Sequence, residues 1–194
     1  MANQPLPVTK LLQEPGFLYW APLATALPAN TGSASGFSDI WPAAWIPLGA
    51  TESGSDFTYT PTVQPVMVAE LYDPIAYRTT DRTSSLGFML ASVTAANLTK
   101  MLNGAVNVVT GVAPLAVTTI SPPVVGSEIR CQLGWESYDQ SMRLVGFQVL
   151  NGGAMKMSFN KAPAKTTLPW MGNFETPGSG TAVPWQIFVA GSNR

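Results

Sequence analysis

Proline and glycine recur so often along this chain that few segments are long enough for anything but a short strand. The chain has 194 residues, with 17 Pro and 17 Gly among them. Both residues interrupt helices and strands and favour turns. The short segments that result are rich in apolar and aromatic residues and read as strands, as in residues 17–23, 44–50 and 183–190. This punctuation predicts a mainly β fold, a β-sandwich or barrel.

One stretch departs from this pattern. Residues 83–104 read TSSLGFMLASVTAANLTKMLNG, which alternates through Leu86, Phe88 and Leu90 like a half-buried strand and then takes on helical spacing. We predict one short helix at about 94–103, too short to be stable alone and therefore packed on the sheet. Its predicted features are an N-cap at Thr94, an apolar stripe of Leu98, Met101 and Leu102, and a C-terminal stop at Gly104.

Two further segments carry local predictions. Residues 51–82 alternate but contain Pro61, Pro65 and Pro74, which place a segment at a sheet edge or in a loop, and we interpret them as a long loop. Residues 143–159 predict a hairpin that turns at Asn151 and Gly152, with Val145, Phe147 and Val149 on one face. We also predict an extended N-terminal arm over residues 1–15, followed by a single β domain over residues 16–194.

The composition disfavours an enzyme. With no histidine and a single cysteine, Cys131, the chain lacks the residues of Ser-His-Asp or Cys-His catalysis, of common zinc sites and of an intrachain disulfide. No nucleotide-binding glycine motif is present. We therefore expect no catalytic residues, no metal and no cofactor. The first residues lack a secretory pattern and no stretch approaches about 18 apolar residues, so we expect folding in a cytoplasm and no membrane insertion.

The carboxylates leave alternatives open. Glu70, Asp73 and Asp81 lie close together in sequence, which is compatible with a paired-carboxylate hydrolase or a Ca²⁺ site, although solvated side chains are the commoner outcome. The six Trp and five Tyr are compatible with carbohydrate stacking, although core and interface positions are more usual.

Charge is scarce and unevenly divided. Charged residues make up 11% of the chain, against about 25% in ordinary soluble domains. Such a composition favours a subunit that buries much of its surface in contacts with other copies. Residues 1–81 sum to −5 and residues 82–194 to +4, because the first part holds seven acids and two bases and the second four acids and eight bases. This asymmetry is compatible either with chance or with complementary faces on neighbouring subunits.

The order of two motifs resembles a known family. Residues 44–53 read AWIPLGATES and contain Leu48-Gly49-Ala50-Thr51 followed by an acid, Glu52. After the 51–82 excursion and the strand SSLGFMLA comes the pattern T-x-x-N-L-x-x-x-L, formed by Thr94, Asn97, Leu98 and Leu102. This order resembles the major tail protein, or tail-tube protein, of long-tailed siphovirus-type bacteriophages. The resemblance covers residues 44–104 best, and Gly87, Met89 and Ala91 stand where related proteins often carry more charge.

This resemblance implies a structural virion protein. Six copies would form a ring, and stacked rings would form a tube that conducts double-stranded genome DNA without binding it specifically. The 51–82 segment and the N-terminal arm would reach neighbouring subunits, and the tube would meet the tape measure, tail terminator and distal tail proteins after assembly in the host cytoplasm. Candidate lumen-lining acids are Glu70, Asp73 and Asp81 or, alternatively, Glu128, Glu136 and Asp139.

Two other functions compete with this interpretation. The first is a capsid decoration or head-tail completion protein, which would attach to a preformed shell and would not stack on itself. The second is a β-sandwich carbohydrate-binding module or glycosidase, which would be a monomer with a sugar-binding groove.

Overall fold

The strands of this protein pair into one large antiparallel sheet and two small hairpins. The structure is a computed structural model, and it describes residues 16–33, 36–69, 72–157, 166–178 and 183–190. The predicted N-terminal arm, residues 1–15, lies outside the described residues, as does Glu70. In chain order the elements are β1 (Gly16–Pro22), β2 (Gly32–Ser33), β3 (Gly36–Phe37), β4 (Ile46–Pro47), β5 (Thr51–Val66), β6 (Ala76–Leu90), α1 (Ala95–Met101), β7 (Val106–Thr110), β8 (Val117–Ser121), β9 (Cys131–Ser137), β10 (Met142–Asn151), β11 (Leu168–Phe174) and β12 (Trp185–Val189).

The large sheet has eight strands in the order β4-β1-β9-β10-β11-β6-β5, with β12 paired to β10 beside this path. Every pairing in it is antiparallel. The prediction of a mainly β fold with one short helix is therefore confirmed. Strands β2 and β3 form one separate hairpin, and β7 and β8 form the other.

Apolar side chains fill both faces of the sheet. The main core lies on one face, where alternate residues of β1, β6, β9 and β11 meet, and it includes Leu18, Phe88, Leu133 and Trp170. The second core lies on the opposite face of β1, β9 and β10, where Trp41 and Trp45 cover Val145 and Phe147. Gly134 of β9 makes this cover possible, because a Cβ atom there would collide with the Trp41 ring.

The segment predicted as a long loop is instead a pair of long strands, and this prediction was wrong. Strands β5 and β6 pair from Thr51↔Leu90 to Val66↔Ala76. The extended alternation of the segment decided the outcome, and its prolines are accommodated because β5 is the outermost strand of the sheet. An edge strand tolerates residues that cannot donate to a neighbour. Pro74 falls in the connection between the two strands.

The predicted 143–159 hairpin is only half present. Its first strand is β10, but the described residues that follow Asn151, through Met157, form no strand. The partners of β10 are β9, β11 and β12. A bulge between Gly146 and Val149 also reverses the alternation of β10, so that Val145 and Phe147 enter the second core while Val149 enters the main core.

Helix α1 spans seven residues and is shorter than predicted. The Thr94 hydroxyl accepts a hydrogen bond from the Asn97 backbone N–H at 3.2 Å, which confirms the predicted N-cap. At the other end, Gly104, with φ +83°, donates its N–H to the Thr99 carbonyl at 3.0 Å, after the left-handed residue Asn103. Gly104 therefore belongs to the helix stop, as predicted, although Asn103 takes the first left-handed position.

The apolar stripe of the helix packs on the main core, as predicted for two of its three residues. Met101 is fully buried and Leu98 packs against the main core from a half-buried position. Leu102 sits at the C-cap, half-exposed, and is not among the residues that pack there. The stripe is narrower than predicted because the helix ends one residue before Leu102.

Candidate functional site

A two-stranded ribbon extends beyond the large sheet. Strand β6 pairs with β11 only from Ser85 to Leu90, whereas its pairing with β5 continues to Ala76. We call the extension, residues 59–66 of β5 and 76–84 of β6, the ribbon. Eight residues of strand correspond to about 26 Å, at roughly 3.3 Å per residue. A two-stranded ribbon in water is marginally stable by itself.

The two faces of the ribbon differ in polarity. One face, which we call the apolar face, carries Tyr59, Pro61, Val63 and Pro65 from β5. Opposite them on β6 lie Ser84, Arg82, Thr79 and Tyr77, so Arg82 is the one charged side chain on this face of the ribbon. Tyr77 is 71% exposed and Val63 is 49% exposed. The other face, the polar face, pairs threonines and Gln64 with Thr83, Asp81 and Arg78.

The apolar face continues the main core into solvent. At the base of the ribbon, Phe57 and Tyr59 lie edge-on to the Trp185 ring, at centroid distances of 4.9 and 5.8 Å. The Trp185 indole N–H donates to the Ser84 hydroxyl at 2.9 Å, which fixes β12 beneath the ribbon. Beyond this point no described side chain of the main core covers Val63, Tyr77 or their neighbours. Large exposed apolar surfaces are common where proteins contact other molecules.

A second projection, formed by β7 and β8, leaves the opposite end of β6. We call residues 106–121 the valine hairpin. Its strands pair with each other and, among the described residues, with no other strand. All but one of its strand residues are exposed, Ile120 being the exception. The molecule therefore carries apolar projections at both ends of one sheet.

Three of the acids predicted to line a lumen lie at the ribbon end of the sheet. Asp73 is exposed in the turn that joins β5 to β6, and Asp81 is exposed on the polar face of the ribbon. Asp139 lies in the β9–β10 turn, where its carboxylate accepts hydrogen bonds from Ser137 and Ser141. Strands β6, β11, β10 and β9 are neighbours and run antiparallel to one another, so β10 starts at the ribbon end of the sheet. The β9–β10 turn therefore lies at that end. Glu128 precedes β9, at the opposite end.

Glu136 is not a surface residue, so its prediction as a lumen-lining acid was wrong. It is 3% exposed and forms an ion pair with Arg143, whose Nε lies 2.7 Å from Oε1. The Trp41 indole N–H donates to its other oxygen at 2.8 Å. Alternation along β9 points Glu136 into the second core rather than into solvent. Because this carboxylate is buried in an ion pair, we expect its removal to change the stability of the fold.

Arg143 connects this carboxylate to the segment that covers the second core. Its Nη1 lies 2.9 Å from the Asp39 carboxylate and its Nη2 donates to the Asp39 carbonyl at 2.6 Å. The guanidinium also lies over the Phe37 ring, 4.4 Å from its centroid. We call Arg143, Glu136, Asp39 and Trp41 the buried network. All of its charges are paired, which is the condition for holding them inside a protein.

The buried network alters two pKa values. Burial alone would raise the pKa of Asp39, but the hydrogen bond from Arg143, aided by the backbone N–H groups of Asn30 and Thr31, lowers it below its usual value. Burial raises the pKa of Tyr19, and the nearby charge of Glu136 raises it further. Tyr19 stacks on Trp41 at a centroid distance of 4.5 Å.

Asn97 joins the two sequence motifs and was not singled out for this role from the sequence. Its side-chain amide donates to the Leu48 carbonyl and to the Ser92 carbonyl, both at 3.1 Å. The Leu48-Gly49-Ala50-Thr51 segment and the T-x-x-N-L helix are therefore neighbours in space. The position of asparagine at N3 of a capped helix was the available signal, since a buried amide there needs external partners.

Asn151 likewise has a role that its sequence context concealed. Its side-chain N–H₂ donates to the Met101 carbonyl at 2.7 Å, and its backbone exchanges hydrogen bonds with the Asn103 side chain at 3.0 Å. It thus secures the C-terminal end of α1 instead of forming the predicted tight turn. An Asn-Gly pair gives no signal that distinguishes these two uses.

The described residues form neither a metal-binding cluster nor a membrane-spanning helix. In residues 16–33, 36–69, 72–157, 166–178 and 183–190, no group of three or more His, Cys, Asp or Glu side chains is arranged to hold a metal ion. Across these same ranges, no helix has the length and apolar character needed to cross a membrane. The exposed features are apolar projections and scattered acids.

Neither a protein-family model nor a curated protein matches the chain.

Proposed function

We propose that this protein is a structural subunit that assembles with copies of itself into rings, stacked as the tail tube of a long-tailed bacteriophage. The observation that carries the proposal is the ribbon, whose apolar face extends the main core outside the subunit. A side chain such as Tyr77, 71% exposed on a strand, is stabilised only when another surface covers it. Tube assembly supplies that surface from a neighbouring copy.

Two further features support self-assembly. On one side the sheet ends in β5. The first ten residues of β5, residues 51–60, contain no proline and offer a strand edge to a neighbour. On the other side, β4 covers β1 at only two positions. An edge at each end of the sheet suits head-to-tail contacts, which close into a ring when the rotation between copies allows it.

The motif order supports the phage assignment in particular. The segment Leu48-Gly49-Ala50-Thr51 and the T-x-x-N-L helix are joined through the Asn97 amide, so the motif residues form one structural unit. In the tail-tube family, by the resemblance, these motifs precede and follow the long excursion that here forms the ribbon. Tape measure, terminator and distal tail proteins are then the proposed partners, and the virion tail is the proposed location.

A conduit for DNA needs a wall that does not bind phosphates. Lysine and arginine on such a wall would hold the duplex, whereas acids and small polar groups let it pass. We assign Asp73, Asp81 and Asp139 to the lumen side, because all three lie at the ribbon end of the sheet. On the polar face of the ribbon, Asp81 offsets the charge of Arg78, while Arg82 lies on the opposite face and is assigned to the contact with the neighbouring subunit.

Neighbouring residues on opposite faces of the ribbon test the proposal. Val63→Asp places a charge on the apolar face, and Gln64→Asp places the same charge on the polar face. We expect sedimentation velocity to show wild-type protein and Gln64→Asp in large assemblies and Val63→Asp as a folded monomer. Equal assembly of both variants would contradict the role given to the ribbon.

A further inference from the structure

The valine hairpin lies within the longest charge-free run in its half of the molecule. Residues 104–127 contain no Asp, Glu, Lys or Arg, and no Phe, Tyr or Trp. Six of its apolar side chains are each more than half exposed: Val106, Val108, Val109, Val112, Leu115 and Val117. Val124 and Val125, shortly after the hairpin, are also more than half exposed. The two at the tip, Val112 and Leu115, are 84% and 83% exposed.

This exposed apolar surface is extensive for an isolated subunit. Large exposed apolar surfaces are typical of contacts with other molecules. Val106, Val108 and Val117 share one face of the hairpin, and Val109 lies on the other. The hairpin itself packs chiefly against α1, through its base. A second surface must cover its tip.

The chain also carries a cleft of matching character. It has a volume of about 480 Å³ and lies between the start of β1, β4 and the residues before β5. The described residues that line it are uncharged and include Phe17, Leu18, Pro47, Gly49, Ala50 and Tyr138. At its rim, Phe17 is 48% exposed and packs against the Tyr138 ring at 5.8 Å.

We propose that the tip of the valine hairpin, Val112 and Leu115, docks into the cleft of a second copy of this chain. A knob and a cleft on different elements of one chain make a head-to-tail contact, which repeats from copy to copy. The inference rests on the proposed function in that the partner is another subunit of the same assembly. It stands on different residues from the ribbon.

A membrane is the competing occupant, and the composition of the hairpin argues against it. Segments that insert at a lipid interface carry Trp or Tyr at headgroup depth and Lys or Arg for the anionic surface. Residues 104–127 have none of these four residue types. Val, Thr and Ile, which dominate the hairpin, suit packing against another β surface.

Disulfide trapping in the full chain tests the contact directly. Leu115→Cys protein is mixed with Ala50→Cys protein, whose cysteine lines the cleft, and oxidised under conditions in which the wild type associates. The matched control replaces Ala50→Cys by Ala96→Cys, an exposed position on α1. The native Cys131 does not compete, because it is buried and burial raises its pKa to about 12.

We expect the 115–50 mixture to give a covalent dimer and the 115–96 mixture to give little. Leu115→Asp should weaken association by about tenfold or more, the loss typical of a central interface residue, while Thr118→Asp, exposed on the same hairpin but away from its tip, should have a small effect. Equal trapping in both mixtures, or unchanged association of Leu115→Asp, would overturn the inference.

The outcomes separate this inference from the proposed function. If the wild type forms tubes but the 115–50 pair is not trapped, the tail-tube proposal stands and the docking inference fails. If the pair is trapped in small oligomers and no tube forms, the docking inference stands alone. A wild type that stays monomeric and sediments with anionic vesicles instead would overturn the docking inference in favour of a lipid surface.

Discussion

The buried network and the ribbon invert the usual distribution of residues. In the buried network, Arg143 is 1% exposed and pairs with the buried Glu136 and with the partly buried Asp39, beside the Trp41 ring. On the ribbon, Tyr77 and Val63 face solvent beyond the last residue of the core. Charges are tolerated inside because each has a partner. The apolar groups on the ribbon are exposed in the single subunit, and we propose that a neighbouring copy covers them.

The largest expected effect comes from Arg143→Ala, which would break the buried network. It leaves Glu136 buried without its cation, and removal of one partner of a buried pair typically costs about 3–5 kcal/mol. Urea unfolding of the variant should show this loss in the free energy of unfolding. Arg130→Ala removes an ion pair with Glu175 that is partly open to solvent, and serves as the control with little expected change. Equal losses in the free energy of unfolding of the two variants would show that the buried ion pair is no more important than the exposed one.

The next effect concerns the helix. Met101→Ala removes a side chain that is fully buried in the main core, and we expect a loss of about 2–5 kcal/mol. Leu102→Ala, one residue later at the half-exposed C-cap, should cost clearly less. Thermal unfolding of both variants measures the comparison. A larger loss at Leu102 would contradict the packing of α1 described here.

Acid should weaken the buried network through Asp39. Its folded-state pKa lies below its usual value, so the stabilisation is fully present above the unfolded-state pKa, near 3.9, and is lost as pH falls through the lower folded-state value. We expect Asp39→Asn to lose about 1 kcal/mol at neutral pH and to flatten the dependence of stability on pH below about 4. Denaturant titrations across that window provide the measurement.

The smallest effect on folding, and the most specific effect on function, is expected from the acids at the ribbon end. Asp73→Lys combined with Asp81→Lys changes only exposed positions, so the free energy of unfolding should move by less than about 0.5 kcal/mol for each substitution. Assemblies of this variant should retain duplex DNA in a filter-binding assay at low salt and release it at high salt. Wild-type assemblies should retain little. If neither the wild-type nor the variant assemblies retain duplex DNA, the assignment of Asp73 and Asp81 to the lumen is wrong.

The sequence was most informative where local rules act alone. Thr94 caps the helix and Gly104 ends it as predicted, because both roles depend on neighbours within a few residues. The strand alternation of Leu86, Phe88 and Leu90 likewise predicted three buried residues correctly.

The failures arise where distant residues decide. Prolines alone do not tell an edge strand from a loop, and the position of β5 at the sheet edge is set by pairing with β6. The bulge in β10 moved Val149 to the other core because one extra residue reverses every later side chain. Glu136 was predicted to be a surface acid. Its partners are Trp41 and Arg143, which also pairs with Asp39, and they meet Glu136 only in the folded protein. No local sequence pattern predicts a buried ion pair.

Self-assembly is best tested by negative-stain electron microscopy of the purified wild-type protein, before and after concentration. We expect rings or stacked tubes with a central hole. Particles that stay as single subunits while Val63→Asp and Leu115→Asp behave like the wild type would contradict this expectation, because the apolar projections would then have no partner among copies of this chain.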